Sequence, residues 1–181
     1  MTNTLNPIKE PFPEDIVKLL SRYPKIDGYL LTLFRTFANS QRFLEKGVPN
    51  LLDEESPLKI RDREIVILRV TANNNCEYEW GIHVTVFSKL ANLSEPHIAA
   101  TLTKDIDPEL WTIEEYHLLK AIDEICSLGS ISDKVLKYFL RDWTVEQQLE
   151  ILALCGAYHT VSFVANIARL PSEEFAAKFP R

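Results

Sequence analysis

The segment from about Ile60 to Ala72 places the strongest constraint on the fold, because its apolar residues cover most sides of a helix. A helix of this kind has to be covered by other parts of the chain. It carries one glutamate, Glu64, near its start. A buried carboxylate without a partner costs several kcal/mol or takes up a proton, so a buried Glu64 needs a partner. Alternatively, Glu64 is an exposed first-turn residue that balances the helix dipole beside Arg63 or Arg61.

A second helix is predicted to follow a break of three asparagines, and it runs from about Glu77 to Ala91. Cys76 stands at its start, and Glu79 and His83 follow at spacings that place all three on one helical face. A thiol, a carboxylate and an imidazole on one stripe are reactive groups rather than packing groups. His83 is the partner that we predict for Glu64, and Glu79 with His83 forms a candidate proton-transfer pair.

The rest of the chain also has helical periodicity, and no alternating strand pattern competes with it. We therefore predict an all-α fold, with an extended arm over residues 1–13 and a single helical domain over residues 14–181. Further helices are predicted from Glu14 to Arg22, Gly28 to Lys46, Glu95 to Leu102, Thr112 to Leu128, Asp133 to Arg141, and Thr144 to Leu170.

Charge and cysteine content exclude several classes of protein. The net charge is −6 and no basic patch stands out, so a nucleic-acid partner is not expected. Cys76, Cys126 and Cys155 are an odd number at wide spacing, which favours free thiols and a cytoplasmic location. The uncharged segment Ile151–Ala168 is predicted to be a core or subunit-interface helix rather than a membrane span. No metal and no other cofactor is expected.

One motif of the chain consists of Arg63–Arg69 and Cys76–His83, and it continues through Leu93–Glu95, Trp111–Glu114 and Gln147–Pro171. In these segments the chain resembles the carboxymuconolactone decarboxylase and alkylhydroperoxidase D-like family. It implies a multi-helix bundle with a central helical hairpin that assembles through its central helices. A homo-oligomer (dimer, trimer or hexamer) is therefore expected.

The two branches of this family imply different chemistry. In the peroxidase branch a helix opens with two cysteines, one attacked and one resolving. Cys76 matches the first cysteine, Glu64 matches an upstream glutamate and His83 matches the histidine, but Glu79 stands where the second cysteine would be. The chain therefore cannot form that local disulfide. The decarboxylase branch lacks the redox pair and uses acid–base residues on the same helix.

Three functional hypotheses remain open. The first is a decarboxylase-like enzyme that acts on a small organic acid or lactone, with His83 as acid or base, oriented by Glu79 or Glu64, and with Cys76 lining the pocket. The second is a thiol peroxidase in which Cys76 attacks a hydroperoxide while Glu64 and His83 relay the proton. Cys155 or an outside thiol would then resolve the sulfenic acid. The third is a non-catalytic oligomeric module. In either enzyme we expect the pocket to be lined by Tyr78 and Trp80.

Overall fold

A computed structural model describes residues 4–180, and within this range the chain forms nine α-helices and no strand. The predicted all-α fold is confirmed. Residues 4–12 of the predicted arm contain no helix, while residues 1–3 lie outside the described range. The helices are α1 (Glu14–Leu20), α2 (Thr32–Phe37), α3 (Gln41–Lys46), α4 (Ile60–Asn73), α5 (Glu77–Phe87), α6 (Glu95–Ala100), α7 (Ile113–Leu128), α8 (Asp133–Asp142) and α9 (Val145–Ile167).

Helix α4 is the centre of the molecule, as its apolar pattern predicts. It packs against α5, α7 and α9, and α8 covers α7 from outside. Residues 65–68 and Val70 have no exposed surface. Capping boxes form at the starts of two of these helices, where Thr112 and Glu115 cap α7 and Thr144 and Gln147 cap α9.

The junction between α4 and α5 is a tight turn of asparagines. Asn75 has a positive φ of 50°, a conformation that asparagine tolerates better than most residues. The backbone N–H of Cys76 then donates to the carbonyl of Thr71 and closes the end of α4. Cys76 is the N-cap of α5, so the polar break predicted from sequence lies where the chain reverses.

The single helix predicted over Gly28–Lys46 is wrong, because the chain forms α2 and α3 instead. Gly28 has a φ of 82° and belongs to a turn before α2. Ser40 then interrupts the helical run, since its hydroxyl accepts from the backbone N–H of Phe43 and starts α3. Helices α1 to α3 bury their apolar side chains in a second hydrophobic cluster with Ile82 of α5 and Val161 of α9.

The C-terminal segment ties α2 to α5. The Glu173 carboxylate accepts from the backbone N–H of Thr32 at 2.7 Å and from the Tyr78 hydroxyl at 2.6 Å. The tail also lies against the backbone of α5, where a Cβ on Gly81 would come within 2.0 Å of the carbonyl oxygen of Ala177. These contacts hold α2 beside the central hairpin.

Helix α9 is long and apolar enough, by length and composition alone, to cross a membrane. It nevertheless packs against α4, and 44% of its most apolar window is buried. A buried helix of a soluble protein has the same composition, and the contacts of α9 are consistent with that kind of protein.

Candidate functional site

Glu64 and His83 form a buried pair between the two central helices. The Nδ1 atom of His83 lies 2.7 Å from Oε2 of Glu64, and the side chains are 3% and 0% exposed. The partner predicted for Glu64 is thereby confirmed. Arg63 adds a second, longer contact, with its Nε 3.5 Å from the other Glu64 oxygen. Because the Glu64 carboxylate accepts, the Nδ1 atom of His83 carries a proton.

The other ring nitrogen of His83 faces two further acid–base groups. Its Nε2 atom lies 2.9 Å from the Tyr158 hydroxyl of α9 and 3.6 Å from Oε2 of Glu79. When His83 is an imidazolium, Nε2–H donates to the Tyr158 oxygen and leaves the phenolic O–H free to donate elsewhere. When His83 is neutral, the Tyr158 O–H donates to Nε2 instead. The hydrogen bond between the two side chains can therefore reverse with the protonation of the ring.

Burial and neighbouring charge shift the pKa values of these groups. Burial opposes the charge on His83, but the Glu64 and Glu79 carboxylates together outweigh it, so the pKa of His83 is raised above 6.5. Burial raises the pKa of Glu79 above 4.5, and the Glu64 charge acts in the same direction while His83 opposes it. Burial also raises the pKa of Tyr158 well above 10.0. Glu79 is consequently a stronger base than an ordinary carboxylate.

A cavity of about 480 Å³ opens beside this cluster, which is within the usual size range of small-molecule sites. Glu79, His83 and Tyr158 line it, while Glu64 stands behind His83 and is not part of the lining. The remaining wall is mostly apolar and comes from α2, α3, α5 and α9, from the segment after α1 and from the loop before α4. It includes Leu33, Phe34, Phe37, Leu44, Leu51 and Val86.

Cys76 lies outside this cavity, although it begins the helix that carries Glu79 and His83. Its side chain has no exposed surface, belongs to the second hydrophobic cluster and does not line the cavity. Burial raises the pKa of the thiol and the nearby Glu79 carboxylate adds to that shift, whereas the backbone N–H groups of α5 and the Ser162 hydroxyl oppose it without cancelling it. The shift is unfavourable to a thiolate nucleophile.

Cys155 and His159, two further reactive side chains on α9, lie outside the cavity. Cys155 packs in the core between α4, α7 and α9, in a different hydrophobic cluster from Cys76. Burial raises the pKa of Cys155, and the neighbouring Cys126 thiol adds to the shift. His159 is half-buried and its Nδ1–H donates to the carbonyl of Cys155 at 2.9 Å. His159 is not among the residues that line the cavity.

Tyr78 and Trp80, the two residues expected to line the pocket, do not line this cavity. The Tyr78 hydroxyl donates to Glu173 and accepts from the backbone N–H of Leu33. The Trp80 indole lies in the main core and donates to the Thr101 hydroxyl at 3.0 Å. Tyr78 thus holds the lining residue Leu33 in place, whereas Trp80 is a core residue.

Tyr158 is the site residue that the sequence analysis missed. A signal was present, because a phenolic hydroxyl in a long uncharged helix needs a hydrogen-bond partner once it is buried. Its partner lies 75 positions away on α5, so only the packing of α5 against α9 identifies it. The wall supplied by α2 and α3 was missed for the same reason. In the described part of the chain, no group of three acidic, histidine or cysteine side chains is arranged to hold a metal ion.

Comparisons with known proteins identify the fold. No protein-family model matches the chain, and no curated protein is significantly similar to it. Among solved structures, the chain is similar to a protein of unknown function from Agrobacterium tumefaciens, provisionally described as the antioxidant defence protein AhpD. The two share 22% identity with a TM-score of 0.60, over 66% of this chain and 82% of the other. The chain therefore has an AhpD-like all-α fold, which is the fold that the sequence resemblance implies.

Proposed function

We propose that this protein is a decarboxylase-like acid–base enzyme that acts on a small organic acid or lactone through Glu79 and His83. The observation that carries the proposal is the arrangement of three groups at one end of an apolar cavity. His83 is held between Glu64 and Tyr158, and the Glu79 carboxylate lies beside it on the cavity wall. Pairs of acid–base groups with shifted pKa values in a cavity are typical of active sites.

Glu79 acts as the base in this scheme. Its carboxylate removes a proton from the carbon next to a carbonyl group, and the electron pair of that C–H bond moves toward the carbonyl oxygen. The same enolate would arise if a carboxyl group left as carbon dioxide instead of a proton. Burial strengthens Glu79 as a base because its raised pKa favours the protonated product of the step.

Tyr158 and His83 stabilise the charge that develops on the oxygen. The Tyr158 O–H donates to the enolate oxygen while the phenolic oxygen accepts from Nε2–H of the His83 imidazolium. Glu64 fixes the ring orientation through Nδ1 and balances its charge. Fixed donors in a site with little water stabilise a developing anion far better than donors in bulk solvent. After proton abstraction, return of the proton from Glu79 to carbon completes the cycle and regenerates the carboxylate. After loss of carbon dioxide, a Glu79 that starts in its protonated form would supply the proton to carbon.

Deuterium exchange tests this proposal. Small lactones and carbonyl compounds are incubated with the protein in heavy water, and exchange at the carbon next to the carbonyl is followed by proton NMR. We expect exchange with the unmodified protein and with Cys76→Ser, and loss of exchange with Glu79→Gln. Exchange that needs Cys76 but not Glu79 would contradict the proposal. Absence of exchange and of decarboxylation across the panel would favour the non-catalytic module.

A thiol peroxidase is the second candidate function. It is supported by the description of the Agrobacterium protein and by the matching positions of Glu64, Cys76 and His83. The burial and raised pKa of Cys76 weigh against it. Peroxide consumption with a thiol reductant, compared between the unmodified protein and Cys76→Ser, separates the two candidates.

We also propose that the protein is a cytoplasmic homo-oligomer. All three cysteines are free thiols, which supports a reducing location. The outer face of α9 supports assembly because it exposes a stripe of large apolar side chains, and exposed patches of this kind often mark interfaces. The stripe consists of Val145, Leu149, Leu152, Phe163 and Ile167. The molar mass measured by light scattering at low micromolar concentration tests whether the protein is an oligomer.

A further inference from the structure

The charged side chains that line the cavity lie in two groups at its opposite ends. Arg22, Lys25 and Glu45 line the cavity but are exposed, which places them at its rim. Glu79 and His83 are only 5% and 3% exposed, which places them at its inner end. Between these two ends, the described lining residues are mainly aliphatic and aromatic. A ligand that reaches the acid–base groups therefore has its polar group inside and its apolar body along the wall.

Among the described lining residues, the inner end has no unpaired cation that could bind an anionic ligand. The charge on His83 is already paired with Glu64 at 2.7 Å, and Arg63 lies against the same carboxylate without lining the cavity. A ligand carboxylate would have to approach the Glu79 carboxylate in a poorly hydrated site. Two carboxylates in such a site cannot both remain ionised without a large penalty.

A cationic ligand is disfavoured at the same place. An ammonium group would be attracted by Glu79, but it would also face the His83 ring, whose Nε2 lies 3.6 Å from the Glu79 oxygen. The inner end thus presents one group of each sign at close range. A neutral dipole matches this pattern better than either ion, because its negative end meets the Tyr158 and His83 donors and its positive end meets Glu79.

We infer that the cavity selects an uncharged, largely apolar carbonyl compound, such as a ketone or lactone, whose carbonyl oxygen faces Tyr158 and whose enolisable carbon faces Glu79. This inference rests on the proposed acid–base function and narrows it, since it favours neutral lactones and ketones over organic acids. The reaction at the site is a proton transfer that needs no oxidant or co-reactant. The C–H bond breaks, Glu79 takes the proton, the electron pair moves onto the carbonyl oxygen, and the proton returns to carbon.

Three ligands that share one chain length test the inference, namely decan-2-one, decanoate and decylamine. Their dissociation constants are measured by isothermal titration calorimetry near neutral pH. We expect decan-2-one to bind and both ions to bind at least about tenfold more weakly. Decanoate or decylamine binding as tightly as the ketone would overturn the inference, and so would a lack of measurable ketone binding.

A variant sharpens the charge argument. In Glu79→Gln the repulsive charge is removed at nearly constant shape, so decanoate is expected to bind about tenfold more tightly than to the unmodified protein. Ketone affinity should not increase in the same comparison, because the variant weakens the contact with the positive end of the carbonyl dipole. Unchanged decanoate affinity would mean that Glu79 does not exclude anions. A second variant, Val86→Trp, fills the cavity and should abolish ketone binding, with folding checked by circular dichroism.

The outcomes separate this inference from the function on which it rests. Selective ketone binding without deuterium exchange into the bound ketone would disprove the acid–base function and leave the ligand class intact. Exchange into carbonyl compounds together with equally tight decanoate binding would leave the function intact and disprove the ligand class.

Discussion

The molecule contains two histidine–carboxylate pairs with similar geometry and very different surroundings. His83 Nδ1 lies 2.7 Å from Glu64, and His117 Nδ1 lies 3.0 Å from Asp142. Both pairs connect separate helices, α4 with α5 in one case and α7 with α8 in the other. Distance alone would assign them the same chemistry.

Their other contacts distinguish them. The His117 ring is stacked on Tyr138 at 4.1 Å, and the Asp142 carboxylate is already bound by the largely exposed Arg141. His117 does not line the described cavity beside α5. His83 instead presents its second nitrogen to Tyr158 and Glu79 at the inner end of that cavity. A histidine–carboxylate pair thus becomes a candidate catalytic unit only when a cavity and a further acid–base group adjoin it.

The largest expected effect is on turnover. Replacing His83 by glutamine removes the imidazolium that supports Tyr158, so the deuterium-exchange rate should fall by about 10²- to 10⁴-fold. His117→Gln is the matched control and should leave the rate unchanged. Equal losses in the two variants would remove the distinction between the pairs.

The next effect is on stability. Glu64→Ala leaves the buried His83 and Arg63 without their carboxylate, and breaking a buried pair in this way costs about 3–5 kcal/mol of unfolding free energy. Asp142→Ala should cost clearly less, because its partner Arg141 is 55% exposed and keeps its hydration. Urea unfolding followed by circular dichroism measures both. A larger loss in Asp142→Ala would show that the buried pair does not carry the stability assigned to it.

The pH dependence of activity tests whether Glu64 raises the pKa of His83. Activity needs ionised Glu79 and protonated His83, so it should rise with pH through the pKa of Glu79, above 4.5, and fall through the pKa of His83, above 6.5. In Glu64→Gln the charge that raises the His83 pKa is lost, so the alkaline limb should move to lower pH. Asp142→Asn should leave this limb in place. An alkaline limb that does not move in Glu64→Gln would assign it to another group.

The smallest effect concerns the thiol. Cys76→Ser changes a buried atom outside the cavity, so the exchange rate should stay within about threefold of the unmodified protein. Leu19→Ala, a truncation in the same hydrophobic cluster and outside the cavity lining, serves as the packing control. A rate loss in Cys76→Ser that far exceeds the loss in Leu19→Ala would give the thiol a chemical role.

The sequence predicts the central hairpin and the Glu64–His83 contact because both follow from the need to pair a buried carboxylate. A carboxylate on a helix that is apolar nearly all round must find a partner, and a histidine on the next helix is close in sequence. The helix break at Ser40 was missed because the apolar residues around it fit a continuous helix as well as two short ones. Only the hydroxyl cap on Phe43 distinguishes the two arrangements.

The cavity could not be predicted by the same kind of reasoning. Its walls join α2 and α3 to α5 and α9, and their relative position depends on long-range contacts such as that of Glu173 with Thr32. The burial of the Cys76 side chain also depends on long-range contacts. Its place at the start of α5 follows from sequence, but its burial among α1 to α3 depends on how those helices pack.

The central claim is that the acid–base cluster, and not Cys76, is the reactive site. Its most direct test is the rate at which limiting hydroperoxide oxidises Cys76, measured by intact mass in the presence of a sulfenic-acid trap. Because the thiol is buried, has a raised pKa and lies outside the cavity, labelling should be no faster than that of a free thiol. Rapid labelling at Cys76 alone would contradict the account and make the peroxidase the leading function.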